Sequence, residues 1–118
     1  MINQWIDLTT DAQLEQIKKD SDVKYTLIFK YSTNCGISAR IFDRLQGEWN
    51  KDELSEEILD CYFLDLIKYR KLSNQIAKEF EVYHESPQIL IIHKGKCIYD
   101  DSHSYITFNE IKKIVNGN

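Results

Sequence analysis

The sequence predicts an α/β domain: a mixed central sheet with helices on both faces. Three observations predict it. Stretches rich in β-branched and aromatic residues, such as Tyr25-Thr26-Leu27-Ile28-Phe29-Lys30-Tyr31 and Gln88-Ile89-Leu90-Ile91-Ile92, alternate with segments whose apolar residues recur at helical spacing. Strands separated by helices imply parallel pairs joined by right-handed crossovers. Near the end, Lys94-Gly95-Lys96 lies between two short strands and reads as a hairpin turn, which adds an antiparallel pair.

Trp5-Ile6-Asp7-Leu8 is short and alternating, a first strand. Thr10 and Gln13 have the spacing of a capping box, and Leu14 and Ile17 mark a helix to about Asp20. Ser21-Asp22 breaks it, and the strand Tyr25–Tyr31 comes next. A second helix begins just after Cys35 and runs to about Trp49, with Ile37, Ile41, Phe42, Leu45 and Trp49 on one face. A helical turn is expected around Leu54–Ile58. Cys61–Ile67 is apolar nearly throughout, as a strand covered on both faces must be. Ser73–Val82 reads as a third helix, with Leu72, Ile76, Ala77 and Phe80 on its inner stripe. The strand from Pro87 to His93 turns at Gly95 into Cys97-Ile98-Tyr99. Thr107 and Glu110 form a second capping-box pattern, which opens a last helix through Ile111, Ile114 and Val115, with Gly117 just past its end.

Composition narrows the function. The 118 residues form one domain, 1–118, with no linker, repeat or low-complexity tract. A hydrophobic share of 42% supports a packed core rather than a disordered chain. Fifteen basic residues against 19 acidic ones, interspersed, give a net charge of −4, which excludes the basic footprint of a nucleic-acid binder. No run approaches the ~18 apolar residues needed to cross a membrane. The run Met1-Ile2-Asn3-Gln4-Trp5-Ile6-Asp7 lacks the basic and apolar regions of a secretory signal, so a cytoplasmic location is expected. Three cysteines, Cys35, Cys61 and Cys97, cannot all pair within one chain, which argues for thiols rather than a disulfide scaffold. His84, His93 and His103 have no metal-ligand spacing with one another or with the cysteines, so no metal is expected.

Cys35 is the candidate nucleophile. It stands where a strand hands over to a helix, and there the unpaired N–H groups and the positive end of the helix dipole favour a thiolate. Cys35-Gly36-Ile37-Ser38 is a C-x-x-S pattern. Serine cannot resolve a mixed disulfide as a second cysteine would, but the Ser38 hydroxyl could donate to the thiolate and stabilise it. The second half of the pattern is Ser86-Pro87, directly before a buried strand. Proline is tolerated at a strand's first residue on steric grounds alone. The functional reading is a cis bond that presents unpaired Ser86 backbone to Cys35 for docking in β fashion. The two features together point to a thioredoxin-like redox fold. Cys61 and Cys97, on strands, read as core or edge residues. His103, in Asp101-Ser102-His103-Ser104, reads as a solvated loop histidine or as a ligand contact. Arg40 and Arg44 could attract an anionic thiol, and a solvated helix face is the plainer reading for Arg44. Lys68, Arg70 and Lys71 open the third helix against its dipole, which hints at an anion site.

These residues carry a resemblance. Tyr31-Ser32-Thr33-Asn34-Cys35-Gly36-Ile37-Ser38, Phe63-Leu64-Asp65-Leu66-Ile67-Lys68-Tyr69-Arg70, His84-Glu85-Ser86-Pro87-Gln88-Ile89-Leu90, Gly95-Lys96-Cys97 and Ser102-His103-Ser104 resemble the bacilliredoxin-like YtxJ family of bacillithiol-system redox proteins. The resemblance covers essentially the whole chain. It implies a thioredoxin-like fold, a single redox cysteine at Cys35, and Ser86 and Pro87 facing it, with Asn34 and Gly36 lining the thiol. The implied activity is removal of bacillithiol from S-bacillithiolated client proteins, in a stress-response setting. Where the family commonly has Thr-Cys-Pro-Ile-Ser, this chain has Asn34-Cys35-Gly36-Ile37-Ser38. Gly36 makes the motif similar to the Cys-Gly-Phe-Ser of monothiol glutaredoxins, which carry iron–sulfur clusters.

The expected function is therefore that of a monothiol thiol–disulfide oxidoreductase, working on protein mixed disulfides with bacillithiol or a similar small thiol as co-substrate. A monomer or weak dimer is expected, with no nucleic-acid or membrane partner. The alternatives are an iron–sulfur cluster carrier, in which two chains share a cluster through Cys35, and a non-catalytic module that docks peptides near Pro87.

Overall fold

The structure is a computed structural model that describes residues 5–33, 36–49, 53–54 and 57–116. Among these, the order is β1 (Trp5–Asp7), α1 (Asp11–Asp20), β2 (Tyr25–Tyr31), α2 (Gly36–Glu48), β3 (Leu59–Asp65), α3 (Arg70–Glu79), β4 (Gln88–His93), β5 (Lys96–Ser102) and α4 (Phe108–Val115), with a 3₁₀ turn at His103–Tyr105. The strands form one sheet in the order β1-β3-β2-β4-β5. β3 is parallel to β1 and β2, β4 is antiparallel to β2, and β5 is antiparallel to β4. β4 is antiparallel because it starts at the same end of the sheet where β3 stops, so the segment 80–87 must run back along α3 first.

Both faces of the sheet are covered. On one, Leu27, Phe29, Cys61, Ile89 and Ile91 pack against Ile41 and Leu45 of α2 and Phe108, Ile111 and Val115 of α4. On the other, Ile28, Leu64, Leu90 and Ile92 pack against Leu14 and Ile17 of α1 and Leu72 and Ile76 of α3. Each fully buried side chain of this size stabilises the fold by about 1.5–3 kcal/mol. An aromatic cluster closes the first face toward β1: Trp5 meets Phe42 edge-on at 5.2 Å, and Phe42 meets Phe29 at 5.0 Å.

Several boundaries differ from expectation for local reasons. β3 starts and ends two residues earlier, because Asp65 Oδ1 accepts the N–H groups of Ile67 (3.1 Å) and Lys68 (3.3 Å) and turns the chain out of the sheet. α3 starts at Arg70 rather than Ser73 and stops at Glu79, just before Glu81 turns left-handed at φ 56°. Of the turn expected at 54–58, Leu54 lies at a bend and is completely buried, Glu57 and Ile58 turn into β3, and residues 55 and 56 lie outside the described residues. The hairpin loop is two residues, with Lys94 (φ 53°) and Gly95 (φ 75°) both left-handed, which suits the twist of the flanking strands. β5 is longer than Cys97–Tyr99 and carries a bulge opposite Ile91 and Ile92. On α2, Ile37 faces outward at 49% exposure, and the inner stripe starts at Ser38 and Ile41 instead.

The Thr10 capping box forms in both directions. At α4, Thr107 Oγ1 accepts the Glu110 N–H at 3.3 Å, while the Glu110 carboxylate lies 3.7 Å from Lys113. Glu48 of α2 takes the Phe108 N–H at 3.2 Å and so ties α4 to α2. Gly117 lies outside the described residues. No helix among the described residues is long and apolar enough to cross a membrane.

Candidate active site

The register gathers the candidate residues at one end of the sheet. Tyr31, the last residue of β2, is level with Asp65, the last of β3. Lys30 is paired with Gln88, the first residue of β4, and Gln88 with Ser102, the last of β5. The segments flanking those strand ends therefore meet there: the start of α2 at Gly36, the Ile67 turn, Ser86-Pro87, and His103. Asn34 and Cys35 lie outside the described residues, between Thr33 and Gly36.

The residues on either side of that pair are well fixed. Ser32 is nearly buried and Ser38 is fully buried. The Ser32 N–H donates to Ser38 Oγ at 3.4 Å. The serine expected to serve the thiolate thus already accepts a bond from the backbone, and its own hydroxyl proton is left to donate. Gly36 opens α2, and a Cβ built there would meet nothing within 4 Å.

The Ser86-Pro87 bond is cis, and Pro87 is buried. Pairing of β4 begins only at Gln88, so both residues lie beyond the ladder. The Ser86 Oγ is buried and meets no partner among the described residues. Gln88 Nε2 donates to the Tyr83 carbonyl at 2.8 Å and ties down the approach to this turn.

His103 is tied by its backbone to the proline turn, while its side chain is half exposed. It starts the 3₁₀ turn in the left-handed region (φ 55°), and its N–H donates to the Pro87 carbonyl at 3.0 Å. Its Nε2 lies 3.5 Å from Glu85 Oε1 in an exposed contact, so the backbone bond is the one that holds the segment ending in Pro87. Arg44 is likewise not a free solvated cation: its Nη2 donates to the carbonyls of Ser104 (2.8 Å) and Ile106 (2.6 Å). α2 thereby grips the turn that carries His103.

The other candidates fall elsewhere. Cys61 pairs with Leu27, four positions or about 13 Å down the sheet from the Tyr31–Asp65 level. Cys97 pairs with Ile92 at the hairpin end, and it packs against the face opposite Cys61. Burial pushes the Cys97 thiol up from its ordinary pKa, and its S–H donates to the Tyr99 carbonyl at 3.2 Å. His93 stacks on Tyr25 at 4.1 Å. Lys68 lies over the Tyr69 ring, 5.5 Å from its centroid. His84 is held below its ordinary pKa by burial first, then by the charges of Lys30 and Arg70, with Glu85 opposing. No group of three or more His, Cys, Asp or Glu among the described residues could hold a metal ion.

A parallel β1-β3-β2 core with an antiparallel β4-β5 edge, two helices on each face and a Ser-cis-Pro turn beside the start of α2 defines a protein of the thioredoxin class. A solved thioredoxin-fold protein is 30% identical, with a TM-score of 0.75, over 92% of this chain and 90% of that one. Malassezia sympodialis thioredoxin, at 12% identity, superposes with a TM-score of 0.73 over 97% of this chain and 90% of its own. Chloroplastic thioredoxin z, at 20%, superposes with 0.70 over 99% and 96%. The family model described as monothiol bacilliredoxin BrxC matches residues 6–111, and the chain belongs to that family.

Sequence reasoning missed the burial of Lys30 and the bonds made by two residues it did single out, Arg44 and His103. Lys30 was visible, because a strand buried on both faces must bury its lysine as well. The Arg44 grip and the His103–Pro87 bond join residues 60 and 16 positions apart and have no local signal.

Proposed function

We propose that this protein is a monothiol thiol–disulfide oxidoreductase that removes a small thiol from S-thiolated proteins, with Cys35 as its nucleophile. The observation that carries this reading is the register: the start of α2, Ser86-Pro87 and His103 share one end of the sheet in a chain of the monothiol bacilliredoxin family.

The exchange runs in two balanced steps. The Cys35 thiolate attacks the small-thiol sulfur of the protein mixed disulfide. That S–S bond breaks, the client leaves as a thiolate and takes a proton from water, and Cys35 carries the small thiol. A second small thiol, as its thiolate, then attacks the small-thiol sulfur on Cys35, giving a small-molecule disulfide and regenerating the Cys35 thiolate. Ser38 and Gly36 support the thiolate from the first turn of α2. The unladdered backbone at Ser86 receives the client in extended form. Ile37, Ile67 and Tyr105 are exposed around this end of the sheet and offer apolar contact to the client. The co-substrate is a thiol of the bacillithiol type, the clients are oxidatively S-thiolated proteins, and the setting is the cytoplasm under oxidative stress.

The test uses a client protein S-thiolated with bacillithiol. Cys35→Ser should abolish release of the small thiol, while Cys61→Ala and Cys97→Ala retain it. Release that survives in Cys35→Ser would refute the proposal.

A further inference from the structure

The segment between α3 and β4 is pinned at both ends and open between them. The Val82 N–H donates to the Ala77 carbonyl of α3 at 3.0 Å, and Gln88 Nε2 donates to the Tyr83 carbonyl at 2.8 Å. At the other end the Pro87 carbonyl accepts the His103 N–H at 3.0 Å. The N–H groups of Tyr83, His84, Glu85 and Ser86 donate to no backbone carbonyl among the described residues. Four consecutive donors are thus held in place without a ladder partner, as on the edge of a sheet.

A groove lies alongside. It encloses about 520 Å³ between Asn74, Ala77 and Lys78 on α3 and Val82, Tyr83 and His84 on the segment. Glu81, where the chain turns left-handed (φ 56°), also lines it. Ala77 and Val82 are half-buried and apolar, while Asn74, Lys78 and His84 are exposed and polar. Tyr83 is 94% exposed although its own carbonyl is fixed. A single exposed aromatic is ordinary on a protein surface. Tyr83, however, stands where a held backbone, free donors and a groove coincide, and tyrosine offers a large contact area at low cost in side-chain entropy.

The length of the groove selects its occupant. His84 lies three residues before Pro87 and Glu81 six. At about 3.3 Å per residue, the groove therefore lies roughly 10–20 Å of chain from the proline turn. A small thiol exchanging beside that turn is too short to fill it. A strand that docks on Ser86 and keeps pairing along 84–86 leads into it. Because the segment is already pinned, a partner orders little more of it on binding, which favours affinity.

We propose that the groove between α3 and residues 81–84 docks the client chain that flanks the S-thiolated cysteine, with Tyr83 as its anchor. The inference rests on the proposed exchange reaction and says where its protein substrate binds. Main-chain donors at 84–86 accept a strand of any sequence, and the groove adds contact with client residues about three to six positions from the cysteine.

The test compares two substrates. One is a threonine-rich peptide of about twelve residues with a central S-bacillithiolated cysteine; the other is the mixed disulfide of bacillithiol with free cysteine. Tyr83→Ser should raise the KM of the peptide roughly tenfold, a loss typical of an anchor side chain, with the small disulfide turned over as by the parent. Ala77→Arg, which fills the groove from a helix position that suits arginine, should do the same. Trimming the peptide to its cysteine and nearest neighbours should raise KM in the parent and no further in Tyr83→Ser. A parent-like KM for the long peptide in Tyr83→Ser, or in a folded Ala77→Arg, would overturn the proposal. Equal slowing of both substrates would overturn it too, since the damage would then lie at the exchange site. Release of bacillithiol from the peptide that persists in Cys35→Ser would instead strike at the nucleophile assignment, so the two failures are distinguishable.

Discussion

The backbone N–H of Ser32 reaches the hydroxyl of Ser38 at 3.4 Å in a buried setting and joins the end of β2 to the first turn of α2. Between these two serines lies the segment 33–37, Cys35 included. Ser38→Ala removes the acceptor and leaves a buried N–H unsatisfied, for an expected loss of about 1–2 kcal/mol. Urea unfolding should show a lower midpoint with an unchanged slope, and Cys35 should be alkylated more slowly at neutral pH. An unaltered midpoint would mean that the bond contributes nothing.

Lys30 also makes stability depend on pH. Its folded pKa of about 8 lies below the ordinary 10.5, so between those values the unfolded chain binds a proton that the folded chain does not. Stability must therefore rise with pH across that window. Below pH 8 the buried charge is a standing cost of up to roughly 3 kcal/mol. Lys30→Met should be the more stable protein at pH 7, with the gap closing toward pH 10. Parallel pH profiles for the two proteins, from denaturant titrations, would contradict this.

Much of this arrangement is legible in the sequence, and the limits are physical. Tyr25–Tyr31 is recognisable at both ends because its β-branched and aromatic run stops at Ser32. The Thr10 cap is recognisable because both partners lie within one turn. Asp65 misleads: it sits inside an apolar run, and only its side-chain bonds to the next N–H groups show that the strand ends there. The site obeys the same rule. Cys35 and Ser86-Pro87 stand out by their place beside strands, whereas Arg44 becomes informative only when tertiary packing brings Ser104 and Ile106 to it.

Lys18 of α1 and Glu79 of α3 form an ion pair across the outer surface of their layer, at 31% and 25% side-chain exposure. The hydrogen bond from Lys18 lowers the Glu79 pKa, with burial opposing and Gln75 adding a second donor. A depressed carboxylate stabilises above its unfolded value of 4.5 and loses that contribution as pH falls through the folded one. The same bond raises Lys18, so its share is complete below 10.5 and is lost as pH rises through the folded value. Glu79→Gln should cost less than about 1 kcal/mol at pH 7, and the difference should shrink as pH falls below 4.5 through the folded value. A difference that persists in acid would assign it to packing rather than charge.

Arg44 links the helix after Cys35 to the proline turn through three elements. Its guanidinium holds the carbonyls on either side of Tyr105. That turn starts at His103, whose N–H holds the Pro87 carbonyl at 3.0 Å. Arg44→Met keeps the apolar stem and removes both donors, at an expected cost of about 1–2 kcal/mol. Arg44→Lys should recover only part, because an ammonium does not keep two N–H groups in one plane as a guanidinium does. Hydrogen exchange separates a linked clamp from a local one. If the grip extends to the proline, the His103 amide should exchange faster in Arg44→Met while the amides of β3 stay protected, and client release should slow in step. If His103 keeps its protection, Arg44 holds only the 3₁₀ turn, and the Pro87 carbonyl depends on the left-handed conformation of His103 alone.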